Sequence, residues 1–532
     1  MLINAQHINY NTPNGEPLFT DVNFTLQKGD KAAIVGNNGV GKSTLLRMIA
    51  GQEPNYTGVL RVNVPLHYVP QHYGHFNQLT VAEALGIAPL LNALQEVENG
   101  ATNQHYYDLL ENNWDIAARC EEAFAKWGIA GITLDQPLRQ LSGGMKTRLF
   151  LSGIDIFDPP VVLLDEPTNH LDRKARAQLY DWMEHTKCTL LLTSHDRQLL
   201  RVCEPTWELQ ADGVKVYGGN YDLYETQKES EALAAEHQLS HHEKALKEAR
   251  QKQQQAMERK QRADSQAKRT AAKSGGPKIL LNSRKNAAEV STSKLKEVHK
   301  AKVSELRANL QEAAAMAQVQ RIMKGYFGQS PMPQGKVLVQ ATEVNFSYRP
   351  GHALWTVPLT LTIRSGDRLS VSGGNGSGKT TLFNLLQGNI APTQGNIQLA
   401  PCNTLLLDQD YSLVDRNKTV LEQAVAFNDA KLEMPMVHTL LANFLFLPGS
   451  WDKPCAVLSG GETLRLALCC MVLQDRTPDI IFLDEPVNNL DLTNIQMLAK
   501  IFAGYKGTLI VISHDTGFLE EAGITEEVQL AE

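Results

Sequence analysis

The sequence predicts an α/β protein made of two copies of one unit, joined by a long antiparallel α-helical hairpin. Three observations predict it. The motif G-x-x-x-x-G-K-[ST] occurs twice, 337 residues apart; after each copy an apolar run ends in Asp-Glu; and between Tyr224 and Tyr326 there is no aromatic residue and one proline, Pro277. A length of 532 residues allows three or four domains at roughly 150 residues each. With 42% hydrophobic, 20% charged and 7% aromatic residues, the composition excludes a disordered, collagenous or disulfide-scaffold chain. A net charge of -7 argues against a uniformly basic nucleic-acid binder.

The first copy of the motif is Gly36-Asn37-Asn38-Gly39-Val40-Gly41-Lys42-Ser43, followed by Thr44. The second is Gly373-Gly374-Asn375-Gly376-Ser377-Gly378-Lys379-Thr380, followed by Thr381. Each follows a strand-like run (32–35; 369–372) and opens a helix-like one (44–50; 381–387), the context of a P-loop. Its glycines turn backbone N–H groups toward phosphate oxygens, and the helix N-terminus adds positive potential. Lys42 and Lys379 are expected on the β- and γ-phosphates, with the Ser43 and Thr380 hydroxyls on Mg²⁺.

Downstream, Val161–Glu166 and Ile480–Glu485 read as buried parallel strands whose carboxyl ends face a ligand. Asp165 and Asp484 are then candidate Mg²⁺ ligands, and Glu166 and Glu485 candidate general bases; a solvated acidic turn is the alternative for either copy alone. Thirty residues past each Asp, His195 and His514 end a second apolar run, an interval that places both at the γ-phosphate.

The discriminating element is Leu141-Ser142-Gly143-Gly144, repeated as Leu458-Ser459-Gly460-Gly461. Here the chain resembles the ATP-binding cassette superfamily, whose LSGG signature caps the γ-phosphate of the nucleotide held by the opposite cassette. The resemblance implies two P-loop ATP-binding cassette domains, 1–225 and 334–532, forming a head-to-tail sandwich within one monomer. One composite site would combine Lys42, Asp165, Glu166 and His195 with Ser459, the other Lys379, Asp484, Glu485 and His514 with Ser142. Gln71 and Gln409 match the family's Q-loop and are expected among the nucleotide and Mg²⁺ contacts; Leu171-Asp172 and Leu490-Asp491 match its D-loops. Tyr10 and Tyr348 stand where the family stacks an aromatic ring on adenine, a core tyrosine being the competing reading for each. Two departures stand out: Met145 follows the first LSGG where Glu or Gln is usual, and Val487-Asn488-Asn489 replaces the Thr168-Asn169-His170 of the first half.

The segment 226–330 carries 21 Lys and Arg against 11 Asp and Glu, so it is positive while the remainder of the chain is negative. Small apolar residues near heptad spacing over 225–270 and at three- and four-residue intervals over 293–324 predict two long helices folded back on each other, a linker over 226–333. Its tip, about 271–292, is broken by Gly275, Gly276 and Pro277, and its Lys273, Lys278, Arg284 and Lys285 are candidate RNA contacts. The alternative is a solvated coiled-coil face.

Gln71 to Ser142 spans 71 residues and Gln409 to Ser459 spans 50, so the first half carries about 21 extra residues, expected within 85–114. Tandem cassettes, a basic helical linker and this insertion together resemble the ABC-F family of translation factors, and Tyr217-Gly218-Gly219-Asn220-Tyr221 resembles that family's turn into the linker. The resemblance implies binding of the closed sandwich at the exit site of the 70S ribosome, with the insertion as an arm and the linker reaching peptidyl-tRNA and ribosomal RNA. Short-armed, long-tipped members include antibiotic-protection factors, and this chain fits that description. A transporter ATPase subunit and a DNA-associated ATPase are the rivals; the first leaves the basic linker unused, and the second usually carries zinc-binding cysteines or longer coiled coils.

No apolar stretch reaches the roughly 18 residues of a membrane helix. The start, Met-Leu-Ile-Asn, lacks a signal-peptide pattern, and the seven cysteines include no C-x-x-C pair, so a cytoplasmic location with reduced thiols is expected.

Overall fold

The computed structural model describes residues 1–231, 233–234, 254, 262, 332–374, 376–474, 476–488 and 490–530. Most of the hairpin expected over 226–333, its tip at 271–292, Lys273, Lys278, Arg284, Lys285 and Asn375 lie outside the described residues. Met1–Tyr224 and Gly325–Glu532 pack as one unit that holds both halves of the repeat, and Glu225–Lys324 forms another.

The first half opens with an antiparallel sheet of β1 (Ile3–Asn11), β2 (Pro17–Leu26) and β4 (Thr57–Val62), ordered β2-β1-β4. The main sheet contains β3 (Lys31–Val35), β5 (Leu66–Val69), β6 (Val161–Asp165), β7 (Thr189–Thr193), β8 (Thr206–Gln210) and β9 (Gly213–Tyr217), ordered β5-β6-β7-β3-β8-β9. All its neighbours are parallel except β8 and β9. Strand β6 shows why its sequence is a continuous apolar run. Val161 and Leu163 point into the core shared with the antiparallel sheet, whereas Val162 and Leu164 point into the core beneath the helices. Side chains alternate across a strand, so a sheet covered on both faces needs apolar residues at every position.

Helix α1 (Lys42–Ile49) packs in the core shared with the antiparallel sheet; the remaining helices of this half are α2 (Val81–Ala84), α3 (Ala88–Glu98), α4 (Gln104–Leu110), α5 (Ile116–Lys126), α6 (Gly143–Phe157), α7 (Arg173–His185) and α8 (Arg197–Val202). The fully buried Trp127, just after α5, shares the core with Phe150 of α6 and Leu179 of α7. It donates from Nε1 to Asp155 Oδ2 at 2.7 Å.

The second half repeats the plan. β10 (Val337–Asn345), β11 (Leu359–Arg364) and β13 (Gln394–Leu399) form the antiparallel sheet, ordered β11-β10-β13. β12 (Arg368–Ser372), β14 (Thr404–Leu407), β15 (Ile480–Asp484), β16 (Thr508–Ile512) and β17 (Glu526–Gln529) form a parallel one, ordered β14-β15-β16-β12-β17. Its helices are α9 (Lys379–Leu386), α10 (Val420–Ala426), α11 (Met434–Asn443), α12 (Gly460–Leu473), α13 (Leu492–Gly504) and α14 (Thr516–Glu521). Capping boxes at Thr80/Glu83 and Thr419/Glu422 start α2 and α10. Between α2 and α5 the first half inserts α3 and α4, for which the described residues of the second half have no equivalent.

The two halves differ in where their tyrosines fall on the first strand. His7 and Glu343 both have positive φ, 52° and 49°, at matching bulges of β1 and β10, each crowded by a glycine, Gly58 or Gly395, on the neighbouring strand. Aligned on these bulges, Tyr10 corresponds to Phe346, and the counterpart of Tyr348 is Thr12. Tyr10 is only 8% exposed, packed against Phe19 with ring centroids 6.1 Å apart. Tyr10 is thus packed in the core, as the competing reading describes. Tyr348 is 72% exposed, and its hydroxyl is 2.8 Å from Thr381 Oγ1 at the start of α9.

Candidate nucleotide sites

Each P-loop joins a central parallel strand to a helix N-terminus: β3 to α1, and β12 to α9. Gly41 and Gly378 cap these helices at φ 104° and 88°. A Cβ at Gly41 would lie 2.7 Å from Phe19 Cε1, and one at Gly378 would strike Leu354, so both positions exclude side chains on conformation and on space. Lys42 Nζ donates to Gly36 O at 2.6 Å and Asn37 O at 3.3 Å. Lys379 Nζ donates to Gly373 O at 2.8 Å and Gly374 O at 3.0 Å. Burial lowers both ammonium pKa values, leaving cations poised at the mouth of a ring of N–H donors.

In the first site Asp165 gathers three hydroxyls: Ser43 Oγ at 3.0 Å and Thr193 Oγ1 at 2.7 Å on Oδ1, and Tyr68 OH at 3.2 Å on Oδ2. Gln71 Oε1 accepts from Ser43 Oγ at 3.5 Å. Thr193 can reach Asp165 because β7 lies between β3 and β6. In the second site Thr380 Oγ1 donates to Asp484 Oδ2 at 3.1 Å, and burial raises the Asp484 pKa. Gln409 is exposed there, with no hydrogen bond to Thr380 among the described residues. The serine or threonine hydroxyls and the carboxylates are hard oxygen donors that suit Mg²⁺, an ion that keeps waters and phosphate oxygens among its other ligands.

Glu166 and Glu485 follow their strands in the left-handed region, at φ 49° and 48°. Each is pinned there by its own N–H, which donates at 2.9 Å to Thr193 O or Ile512 O. Glu166 Oε2 accepts from His195 N at 3.2 Å, and Oε1 lies 3.3 Å from His195 Nε2. Glu485 Oε1 lies 3.4 Å from His514 Nε2. Burial lifts both carboxyls to about 7, and pushes His514 down to about 4 and His195 well below its ordinary range. A carboxylate poised near neutrality beside a neutral imidazole is suited to accept a proton.

The two halves meet at these sites. Asp491, the N-cap of α13, accepts at Oδ2 from Asn38 N of the first P-loop at 3.2 Å, and Asn38 Oδ1 lies 3.2 Å from His195 Nε2. Asp172, the N-cap of α7, is held by Arg148 at 2.7 Å within its own half. The signature serines also differ. Ser459 caps α12 in a capping box: its Oγ donates to Glu462 Oε2 at 2.9 Å, and Glu462 pairs with Lys453 at 2.9 Å. Ser142 caps α6 by accepting from Met145 N at 3.3 Å, with no carboxylate at the third position. Gly143 and Gly144, and Gly460 and Gly461, form the first turns of these helices. No hydrogen bond among the described residues joins Ser142 or Ser459 to the opposite P-loop.

Sequence reading missed Thr193 and Tyr68 as partners of Asp165. It also missed Trp355, whose Nε1 donates to Ser377 O of the second P-loop at 2.8 Å. The Thr at the end of one core strand and the Tyr at the end of another gave no signal of their own. A tryptophan 22 residues before a P-loop serine gave none either.

The family model described as ABC transporter matches residues 19–169 and 357–488, together more than half the chain. The chain is 29% identical over 538 residues to the ATP-binding protein Uup of Haemophilus influenzae, covering 95% of this chain and 75% of that protein. It is 28% identical to ABC transporter F family member 5 of Arabidopsis thaliana (95% and 72% covered) and 27% identical to the ribosome protection protein VmlR of Bacillus subtilis (98% and 85% covered). Among solved structures, the RNase-L Inhibitor superposes with a TM-score of 0.61 at 17% identity, covering 98% of this chain and 87% of that one, which shows the shared tandem-cassette fold. ATP-binding domains of this kind imply ATP hydrolysis, and no described helix is long and apolar enough to cross a membrane. The chain belongs to the ATP-binding cassette family, with two cassettes on one polypeptide, and its relatives include an F family member.

Proposed function

We propose that this chain is a ribosome-binding ATPase that acts on translation from the exit site, touching peptidyl-tRNA and ribosomal RNA through its basic linker. The nucleotide part of the reading rests on the contact between Asp491 of one cassette and Asn38 of the other, which brings a D-loop of the second cassette onto the first P-loop. On this reading ATP sits in two composite sites. Lys42, Asp165, Glu166 and His195 act with Ser459, and Lys379, Asp484, Glu485 and His514 act with Ser142.

Ser43 and Asp165, or Thr380 and Asp484, with Gln71 and Gln409 nearby, would hold Mg²⁺, which would supply charge neutralisation to the phosphates. The protein's own groups do the rest. The P-loop N–H groups and lysine fix the phosphates; Glu166 or Glu485 takes the proton of the attacking water; and His195 or His514, neutral at physiological pH, holds that carboxylate and the γ-phosphate in register.

The ribosomal part is supported by the charge of 226–330, net +10 on a chain of net -7, and by relatives of which one is named a ribosome protection protein. An acidic protein that concentrates positive charge in one linker is suited to RNA phosphate. Antibiotic protection is the finer reading that the short arm and long tip favour. A transporter subunit would leave the basic linker unused, and a DNA-associated ATPase usually carries zinc-binding cysteines or longer coiled coils.

The test is co-sedimentation of the Glu166→Gln, Glu485→Gln double variant with 70S ribosomes, with and without ATP. Pelleting that requires ATP is expected. No pelleting at low salt, with or without nucleotide, would refute ribosome binding, and ATP-dependent capture on duplex DNA or permease-bearing vesicles would favour a rival.

A further inference from the structure

Arginines at the same place on the two signature helices make different bonds. Arg148 on α6 and Arg465 on α12 each stand six residues after the signature serine. Arg148 Nη2 donates to Asp172 Oδ2 at 2.7 Å, and Asp172 Oδ1 accepts from Ala175 N at 2.9 Å, so both oxygens of the first D-loop carboxylate are used within their own half. Arg465 Nη1 donates instead to Asn494 Oδ1 at 3.4 Å. Asn494 stands where the first half has Ala175, three residues past the D-loop aspartate.

The other end of this amide holds Asp491. Asn494 Nδ2 donates to Asp491 Oδ1 at 2.7 Å, and the Asn494 backbone N–H donates to the same oxygen at 2.8 Å. That leaves Asp491 Oδ2 to accept from Asn38 N of the first P-loop at 3.2 Å. Asp491 and Asn494 are both buried. The amide fits because the signature helix has a glycine beside it: a Cβ on Gly461 would lie 2.5 Å from Asn494 Nδ2. The side chain is thus wedged between α12 and the D-loop. Arg465 Nε is buried with no hydrogen-bond partner among the described residues, so the guanidinium has a donor to spare for a carboxylate within reach. A charge-assisted bond is roughly twice as strong as a neutral one, so an arginine placed on Asp491 would displace the Asn38 N–H from Oδ2. Arg148 already occupies that oxygen in the first D-loop.

We infer that Asn494 is a positioning residue for the first nucleotide site: it keeps Arg465 off Asp491, and so leaves the D-loop carboxylate of the second cassette to grip the first P-loop. One amide joins the second signature helix, the second D-loop and the opposite P-loop in a single chain of contacts. The first cassette has Ala175 at this place, and its D-loop carboxylate stays with Arg148. The two D-loops are therefore set differently. The inference rests on the composite-site reading above.

The experiment gives the second cassette the residue of the first, Asn494→Ala, and has two readouts. In the nucleotide-free full chain, amide hydrogen exchange at Asn38 is expected to speed up about tenfold as the N–H loses its acceptor. In a Glu485→Gln background only the Glu166 site can turn over, and there kcat is expected to fall about tenfold, the scale of one hydrogen bond to a charged group. KM for ATP should stay within about twofold, because the P-loop's own contacts are untouched. In a Glu166→Gln background turnover should also stay within about twofold. Adding Arg465→Met removes the competing guanidinium and should restore both the protection of Asn38 and most of kcat. A variant that had merely loosened the fold would not be repaired by a second substitution in the same packing. If Asn494→Ala folds poorly, Asn494→Ser, one atom shorter and out of reach of Arg465, carries the same expectations.

Unchanged exchange at Asn38, an equal fall in both backgrounds, or a loss that Arg465→Met does not repair would overturn the inference. Failure of the underlying reading looks different. A parent chain that binds ATP without hydrolysing it refutes the ATPase assignment, while exchange at Asn38 still tests Asn494 on its own.

Discussion

Replacing Glu166 and Glu485 with glutamine is expected to stabilise the nucleotide-free protein at pH 8 and to leave it nearly unchanged at pH 5. Burial raises both carboxyls from an ordinary 4.5 to about 7. The folded chain thus holds these protons more tightly than the unfolded chain. The stability this contributes is fully present below pH 4.5 and is lost as the pH rises through 7. At pH 8 each ionised, desolvated carboxylate burdens the fold, and the gap between the two pKa values corresponds to about 3 kcal/mol per group as an upper limit. Glutamine is neutral throughout, and at 166 its carbonyl can still accept the His195 N–H that now reaches Glu166 Oε2. At roughly 2–4 °C per kcal/mol for a domain of this size, the melting temperature of each cassette should rise by at most roughly 6–12 °C relative to the parent at pH 8. Scanning fluorimetry in chelator, without nucleotide, at pH 5 and pH 8 measures it, and the single variants assign the gain to one cassette each. A difference between variant and parent that is the same at both pH values, or smaller at pH 8, would refute the burial argument. The same substitutions abolish turnover if the two carboxylates are the bases, so stability and activity should move in opposite directions.

Three further outcomes are expected. Trp355→Phe leaves the Ser377 carbonyl without its 2.8 Å donor and should cost about 1–2 kcal/mol in denaturant unfolding, with weaker nucleotide binding at the second site only, since Phe19 already fills the equivalent place in the first. Met145→Glu supplies the missing carboxylate of a capping box behind Ser142 and should stabilise the first cassette by about 0.5–1 kcal/mol; an unchanged melting temperature would show that Ser142 is already satisfied. Neutralising Lys273, Lys278, Arg284 and Lys285 should flatten the salt dependence of ribosome binding by about 0.7–0.9 in log–log slope for each phosphate no longer neutralised, and an unchanged slope would remove the linker tip from the RNA interface.

The parts of the site legible in the sequence were those whose chemistry demands a fixed local pattern. A P-loop needs glycines at set positions, and Gly41 and Gly378 show why: left-handed backbone against Phe19 or Leu354 leaves no room for a side chain. The buried strand before Asp165 must be apolar at every residue because both faces of the sheet are covered. What was not legible depends on registers and on contacts between distant elements. A bulge at His7 and its twin at Glu343 set the alignment of β1 with β10, in which Tyr10 corresponds to Phe346, and no local pattern marks either bulge. The surplus of the first half could be counted from motif spacing, but only the packed chain shows it as α3 and α4. Thr193 and Trp355 matter through partners 28 and 22 residues away, and no local pattern marks them.

The bond from Asn38 to Asp491 joins residues 453 positions apart. During synthesis at about 5–20 residues per second, the first P-loop emerges and folds roughly 20–90 s before its partner exists. Through that interval the nascent chain carries a phosphate-binding loop that can hold nucleotide but lacks the contact that closes over it. Synthesis of the second D-loop is thus, on the composite-site proposal, the event that completes the first site.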